Sequence, residues 1–317
     1  MKKAIFTLAL SSMFLAAFGQ QDAQFTQYTH NKLTYNPGYA GMNGSICAVL
    51  LYRTQWMQFP GAPKTGLLNI DAPVFQNSAL HGGAGLTIIN DQLGNDHSLF
   101  ARACYAYHLP IGAVGKLGIG LEAGMIQKSL IYNWIPPDGT NTITTDNSIP
   151  DSKQAATTYD LNFGLYYMTQ KLYVGVSGSH LPEQSLKKAN QFDFQAARHY
   201  FLIAGYTFDI SSSLQLMPSV KVKSDAKSTI FDLGANVLWN NMVWAGAAYR
   251  MTDAVNVMAG FMQTKAKYSW KIGVSYDITL SELKNYSSNT VEIMIGYCFK
   301  LTQKTKTQSH INPRFLK

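Results

Sequence analysis

The sequence LGIGLEAGM, residues 117–125, repeats with a period of two residues: apolar side chains alternate with glycine or glutamate. The stretch VEIMIGYCF, residues 291–299, repeats this alternation near the end of the chain. Because successive side chains of a strand point to opposite faces, each stretch has one apolar face and one mostly polar or glycine-rich face. Similar segments from Ser45 onward predict about fourteen strands of roughly ten residues, the length of a strand that crosses a membrane at a tilt.

The composition agrees with a β-rich envelope protein. The 317 residues are 46% hydrophobic and 12% aromatic but only 14% charged, against roughly 25% charged in an ordinary soluble domain. High hydrophobicity with little charge excludes an intrinsically disordered chain. A helical membrane protein is excluded too, because the mean hydropathy is only −0.07 and no apolar run after residue 20 approaches the roughly 18 residues of a spanning helix.

The predicted connections favour a transmembrane barrel. Tight turns such as 169–170 and 240–241 alternate with connections that include the two longest insertions, 130–158 and 180–198. Outer-membrane barrels have short periplasmic turns and longer extracellular loops, and a sheet in hydrocarbon must close because its edges find no water there. We therefore predict an all-β fold: a single transmembrane, antiparallel outer-membrane β-barrel of about fourteen strands, with aromatic rings at the ends of its apolar band and glycine-rich inward faces.

The chain is expected to divide into four segments. A positive start, an apolar run and small residues near position 19 predict a secretory signal peptide over residues 1–19. Residues 20–44 are expected to form a periplasmic N-terminal segment, which could plug the lumen, bind a partner or simply start the barrel. Residues 45–299 are expected to form the barrel and residues 300–317 a basic periplasmic tail, so that both termini lie in the periplasm.

Neither the cysteines nor any known active-site motif predicts a catalytic or metal-binding site. Cys47, Cys104 and Cys298 are odd in number and widely spaced, which argues against a disulfide framework and predicts small side chains that are buried or face the wall. There is no GxSxG or HExxH motif. The sequence therefore predicts no enzyme, no cofactor and no catalytic or metal-binding residues.

Two aspartates and a histidine that lie close in sequence have the side chains that general-base catalysis uses. Asp91, Asp96 and His97 fall on one predicted external loop. We interpret them as polar loop residues, with Asp91 in an Asx turn.

Several local strings go beyond a general barrel pattern. NPGYAG at 36–41, RTQW at 53–56, FPGAPKT at 59–65 and NPRFL at 312–316 occur in that order. Together they resemble the PorP/SprF family of type IX secretion system membrane proteins of Bacteroidetes-type bacteria. The resemblance implies an outer-membrane barrel that serves protein secretion and gliding, and that is needed for export or surface attachment of cargo proteins. The implied partners are periplasmic ring and peptidoglycan-linked components, secreted cargo and outer-membrane lipid; the compartment excludes nucleic acid.

Three segments supply partner-docking candidates. Prolines and a glycine make the first external loop rigid, and aromatic and arginine side chains often dominate interface energies. The alternatives are a well-packed hairpin with Trp56 in the membrane interface, a turn that starts the barrel, and a solvated tail. The candidates are Arg53, Gln55 and Trp56 at the end of the predicted first strand, Phe59, Pro60, Gly61 and Pro63 in the first external loop (59–65), Asn36, Pro37 and Tyr39 in the lead-in, and Arg314 and Phe315 in the tail.

Two other functions remain open from the sequence alone. One is a passive or substrate-specific diffusion channel in the outer membrane. The other is a soluble periplasmic β-sandwich that binds a ligand.

Overall fold

The computed structural model describes residues 22–75, 81–130, 154–188, 192–251, 253–285 and 289–301. No helix among these residues is long and apolar enough to cross a membrane. In chain order the strands are β1 (Ser45–Thr54), β2 (Lys64–Val74), β3 (Gly82–Leu93), β4 (Asp96–Ile111), β5 (Gly115–Leu130), β6 (Gln154–Met168), β7 (Leu172–Ser179), β8 (Ser185–Lys188), β9 (Phe192–Gln195), β10 (His199–Tyr206), β11 (Phe208–Asp209), β12 (Leu214–Ser224), β13 (Thr229–Trp239), β14 (Val243–Arg250), β15 (Ala254–Thr264), β16 (Tyr268–Thr279) and β17 (Thr290–Lys300).

The strands form one closed antiparallel barrel. Each wall strand pairs with the next along the chain, β10 pairs with β7 and β12, and β1 pairs with β17 to close the wall. The short β11 continues β10 in the same register against β12, whereas β8 and β9 form a separate hairpin. Counting β10 and β11 as one, fourteen strands surround the lumen. The predicted fold class is confirmed.

The connections make the two ends of the barrel unlike. One end, which we call the turn end, carries short connections such as 169–171 and 240–242. The other, the loop end, carries the long connections 131–153 and 180–198. The longest connections follow the predicted alternation, but the loop-end connections 94–95, 225–228 and 251–253 are as short as turns, and the turn-end connection 75–81 is longer than these.

The interpretation of the β3–β4 region as an external loop is wrong. Asp91 lies within β3, and Asp96 and His97 lie within β4. Asp91 accepts a hydrogen bond from Thr65 Oγ1 at 2.6 Å instead of forming an Asx turn. The strands continue further than predicted because Gly94, with a φ of 58°, lets the chain reverse in two residues.

The wall is apolar outside and largely polar inside. On β5, Leu121 and Met125 face outward and are exposed, whereas Glu122 between them faces inward and is buried. On β17, Ile293 is exposed and its neighbour Glu292 is fully buried. This arrangement is the inverse of a water-soluble protein and is typical of barrels that stand in lipid.

Exposed aromatic side chains occur at both ends of the outer face, as the sequence predicts. Such rings favour the two membrane–water interfaces, where the apolar ring and its polar tip are both accommodated. At the loop end they are Tyr52, Tyr159, Tyr200, Phe231, Tyr249 and Tyr276. At the turn end they are Tyr206, Phe208, Trp239, Tyr268, Tyr297 and Phe299.

Residues 22–44 lie inside the barrel, and we call this segment the plug. Asp22 lies beside His180 near the loop end, and the plug then runs to Gly44, next to β1, at the turn end. The sequence left open whether residues 20–44 plug the lumen, bind a partner or start the barrel, and the described part of this segment lies inside the lumen. Three 3₁₀ turns shape it: Tyr28–His30, Lys32–Thr34 and Pro37–Tyr39.

Glycines on the inner face of the wall make room for the plug. A Cβ on Gly120 would stand 2.3 Å from the Gly38 nitrogen, and one on Gly118 would stand 2.0 Å from the Gly38 carbonyl oxygen. A Cβ on Gly164 would meet Asn36 Oδ1 at 2.2 Å. These separations are too short for any side chain, so glycine alone lets the plug backbone approach the wall this closely. Several of the inward glycines predicted from the sequence thus face the plug, whereas Gly124, Gly246 and Gly260 face other wall residues.

Cys47 and Cys298 form a disulfide, which corrects the expectation that the cysteines are unpaired. The two residues lie directly opposite each other where β1 pairs with β17, 251 residues apart in sequence. Spacing along the chain gives no hint of this pair, because only closure of the barrel brings the first and last strands together. Cys104 is free and buried, as predicted.

Removing the disulfide should lower the resistance of the barrel to heat. Replacing both Cys47 and Cys298 with Ser leaves the β1–β17 contact without its covalent link, which typically contributes about 2–4 kcal/mol. We expect the temperature at which the barrel loses its heat-modifiable gel mobility to fall, and Cys104→Ser to change it less. Equal temperatures for the double variant and the wild type would contradict this prediction.

Filling the glycine contact should expel the plug. Gly120→Val places methyl groups where the Gly38 backbone lies, so residues 36–41 must move. We expect faster thermolysin cleavage within the plug, read by mass spectrometry. Gly66→Val is the matched control, since a Cβ on Gly66 meets nothing within 4 Å. Cleavage at the wild-type rate in Gly120→Val would show that the contact does not hold the plug.

Candidate functional site

A cavity of about 510 Å³ opens at the loop end above the plug, and we call it the cup. Its floor includes plug residues Asp22, Ala23 and Gln24. Its wall combines apolar side chains such as Phe100 with charged ones such as Lys128. A concave, partly apolar surface with a few charged groups is a common form of binding site.

The loop-end connection between β1 and β2, residues 55–63, borders the cup and is braced on both sides. Gln55 N donates a hydrogen bond to the Pro63 carbonyl oxygen at 2.9 Å, and Trp56 N donates to Thr290 Oγ1 at 3.1 Å. The Gly61 carbonyl oxygen accepts a hydrogen bond from Gly94 N at 2.8 Å. These bonds tie the loop to the start of β17 and to the β3–β4 turn, so the loop presents a fixed surface.

A buried ion cluster anchors the upper part of the plug. Arg53 pairs with Asp277 at 2.9 Å and with Glu292 at 3.2 Å. Thr26 donates its hydroxyl hydrogen to Asp277 and accepts a hydrogen bond from Arg53. The backbone nitrogens of Thr26 and Gln27 donate to the two carboxylate oxygens of Glu292 at 2.9 and 2.8 Å. Three strands of the wall therefore bind one turn of the plug.

A second group of buried charges lies on strands β12–β14, and Arg250 links it to this cluster through a 3.6 Å contact with Asp277. Asp232 pairs with Lys221 at 2.6 Å and with Arg250 at 2.9 Å. Lys221 also donates a hydrogen bond to the Phe25 carbonyl oxygen at 3.3 Å. Buried charges are stable only when they are paired and hydrogen-bonded, so the plug completes the coordination of groups that the wall alone leaves partly unsatisfied.

The lower part of the plug is attached through Asn36. Its side-chain nitrogen donates to the carbonyl oxygens of Leu165 at 2.9 Å and Val176 at 3.1 Å. Its Oδ1 accepts a hydrogen bond from Gly38 N at 2.9 Å. The NPGYAG string is thus a wall contact inside the lumen.

Asp22 at the start of the plug meets two histidines at the floor of the cup. His180 donates from Nε2 to Asp22 and from Nδ1 to Asp160, both at 2.9 Å. Burial lowers the pKa of His180, but the charge of Asp22 and the hydrogen bonds to both carboxylates outweigh it and raise that pKa to about 9. Burial raises the pKa of Asp22, yet the nearby His180, His199 and Lys223 charges bring it well below its ordinary value.

The predicted docking residues fall in three places. Phe59, Pro60 and Gly61 are exposed at the loop end, Gln55 and Trp56 are half-buried at the cup, and Pro63 is buried beneath it. Arg53, Asn36 and Pro37 are buried in the lumen, and Tyr39 packs there against Tyr166. Arg53 therefore cannot touch a partner outside the barrel, because its guanidinium is used to hold the plug. Arg314 and Phe315 lie outside the described residues.

Several residues of this site carry no signal in the sequence. Asp22, His180 and His199 are separated by up to 177 positions and meet only because the plug threads the lumen. The inward charges Asp232, Arg250 and Asp277 do appear in the sequence, as polar residues on the inner face of alternating strands. Their mutual pairing depends on the register around the barrel, which the sequence pattern does not specify.

Solved structures with a similar fold are outer-membrane channels. CymD, a monoaromatic hydrocarbon channel, superposes with a TM-score of 0.54 at 12% identity, over 91% of this chain and 96% of that chain. The toluene transporter TodX of Pseudomonas putida gives a TM-score of 0.50 at 10% identity, over 88% of this chain and 95% of that one. No curated protein matches the sequence. These identities show the fold alone, which is that of an outer-membrane β-barrel.

The family is shown by the sequence itself. Residues 17–297 match the family described as type IX secretion system membrane protein PorP/SprF, and the chain belongs to that family. The predicted resemblance is confirmed. The protein is therefore an outer-membrane barrel of the type IX secretion system, and its family implies association with other components of that system. Family and fold are those of a secretion component or channel and not of an enzyme.

Arg53→Met should release the plug. The substitution leaves Asp277 and Glu292 buried with less compensating charge, a change that typically costs about 3–5 kcal/mol. We expect the plug to become sensitive to thermolysin and the barrel to melt earlier. Lys171→Met is the control, because its ion pair with Asp209 is half-exposed and exposed ion pairs contribute little to stability. The prediction fails if both variants behave alike.

Proposed function

We propose that the protein is a docking component of the secretion machinery, which exports or attaches cargo by binding protein partners at the cup. The observation that carries the proposal is a lumen filled by a plug that is hydrogen-bonded to buried, ion-paired side chains of the wall, beneath a cup bordered by a braced loop. Such a molecule offers a preformed surface at one mouth of the barrel.

The loop surface has the chemistry of a protein-binding site. Phe59 is 44% exposed although it is a large apolar residue, and Trp56 stands half-buried at the border of the cup. Aromatic side chains held in a fixed position lose little conformational entropy on binding and tend to dominate interface energies. Docking at this loop is supported by its rigidity, which comes from hydrogen bonds to β17 and to the β3–β4 turn.

The orientation that suits this function places the loop end outside the cell and the turn end in the periplasm. Long connections belong to the extracellular side of outer-membrane barrels, and tight turns to the periplasmic side. With this orientation the last strand ends in the periplasm, where the basic tail of residues 300–317 would be available to periplasmic partners. Labelling of a single cysteine placed at Phe59 in intact cells tests the orientation.

A diffusion channel is the second candidate, favoured by the shared fold with the hydrocarbon channel and the toluene transporter. Against it stands the chemistry of the lumen, where Arg53, Asp277 and Glu292 are buried around the plug. Any molecule or ion that crosses the barrel would have to displace a plug that is hydrogen-bonded on several sides. We expect the purified protein to show no steady, large conductance in planar bilayers; an open pore would favour the channel.

Trp56→Ala tests docking directly. Loss of a central aromatic anchor typically costs about 2 kcal/mol of binding free energy, roughly thirtyfold in affinity. We expect cargo secretion or surface display to fall severalfold while the amount and heat-modifiable mobility of the barrel stay normal.

The matched control is Trp239→Ala, which removes a tryptophan exposed on the outer face at the opposite end of the barrel. It should leave cargo display unchanged. Normal display in Trp56→Ala, with the barrel assembled, would refute a docking role for this loop.

A further inference from the structure

Three residues with metal-binding side chains converge on the floor of the cup. A nitrogen or carboxylate oxygen from each of Asp22, His180 and His199 lies within 4.8 Å of those of the other two. His180 Nε2 stands 2.9 Å from one oxygen of Asp22, and His199 Nδ1 stands 3.7 Å from the other. In a tetrahedral zinc site with bonds of about 2.0–2.1 Å, neighbouring ligand atoms stand roughly 3.3 Å apart. The three groups are therefore already spaced as ligands of one ion.

His199 is the observation that requires a ligand. Its side chain is 2% exposed, yet neither ring nitrogen has a hydrogen-bond partner among the described residues. Burying an unpaired imidazole is unfavourable, and native structures rarely leave both nitrogens unused. A cation between His199, His180 and Asp22 would give it the missing bond.

The surroundings of His180 match those of a metal-ligating histidine. When Nε2 releases its proton to solvent and binds a metal, Nδ1 keeps its hydrogen and needs an acceptor, and Asp160 Oδ1 accepts from it at 2.9 Å. Arg102 in turn holds Asp160 at 2.9 Å. A carboxylate behind a ligating histidine fixes the ring and strengthens the ligand. This chain of contacts orients His180 toward Asp22.

We infer that Asp22, His180 and His199 bind one divalent transition-metal ion of the zinc class, which ties the beginning of the plug to the wall. Imidazole and carboxylate ligands suit zinc and its neighbours in the first transition row. All three side chains line the cup, so a fourth coordination position faces the cup and is open to water or to a group of a docked partner. The site joins the plug to two places on the wall, one after β7 and one at the start of β10.

The test is zinc binding by the full mature chain, purified in detergent without a polyhistidine tag and stripped with EDTA. Titration against a chromophoric chelator should show one tight equivalent of Zn²⁺. Co²⁺ bound at the same site should give visible absorption bands of nitrogen and oxygen ligation, which Zn²⁺ abolishes by displacement. Bound zinc should also slow thermolysin cleavage near Asp22.

Variants separate this site from other histidines. His199→Ala and Asp22→Asn should each weaken zinc binding by tenfold or more, and Asp160→Asn should weaken it by about 10–100-fold through loss of the contact behind His180. His97→Ala, on the outer face of β4, should bind as the wild type does. Heat-modifiable gel mobility confirms that each variant is folded.

Either of two results overturns the inference. One is a stripped wild-type protein that takes up no equivalent of zinc or cobalt. The other is uptake that His199→Ala and Asp22→Asn, as folded proteins, do not weaken. Because the first result is measured on the wild-type protein, it can overturn the inference even if a variant fails to assemble.

Discussion

Hydrogen bonding between the plug and the buried ion pairs of the wall is the interaction on which the rest of the molecule depends. A barrel in lipid must turn its apolar side chains outward, so polar residues accumulate inside it. Burial without partners would be energetically unfavourable for the charged groups of Arg53, Asp277 and Glu292. They are hydrogen-bonded to Thr26 and Gln27 of the plug. The same contacts that satisfy the wall also hold the plug, and the plug in turn gives the cup its floor.

These contacts explain why the tightly packed plug lies directly below a loop that keeps aromatic surface exposed. Below the cup, Asn36 of the plug donates hydrogen bonds to carbonyl oxygens of the wall, and the Gly38 backbone packs closely against wall glycines. Above it, the loop around Trp56 is fixed by backbone hydrogen bonds but keeps aromatic surface exposed. The proposed docking benefits from both properties, because a preformed surface loses little entropy on association.

Much of the fold could be predicted from the sequence because lipid imposes a strict period. Outward residues such as Leu121 and Ile293 had to be apolar, and their alternation with Glu122 and Glu292 defined the strands and their number. Contacts that join distant strands were not predictable in the same way. The Cys47–Cys298 bond follows from closure, the role of Arg53 follows from the path of the plug, and neither leaves a local pattern.

The direction in which the plug threads the barrel decides what can be attached to its first residues. Asp22 stands at the cup and not at the turn end, so a label attached to its side chain lies on the floor of the cup. A bulky label in that position would fill the volume that the proposed docking uses. A reporter of native behaviour is better inserted elsewhere, on the outward rim of a loop-end connection.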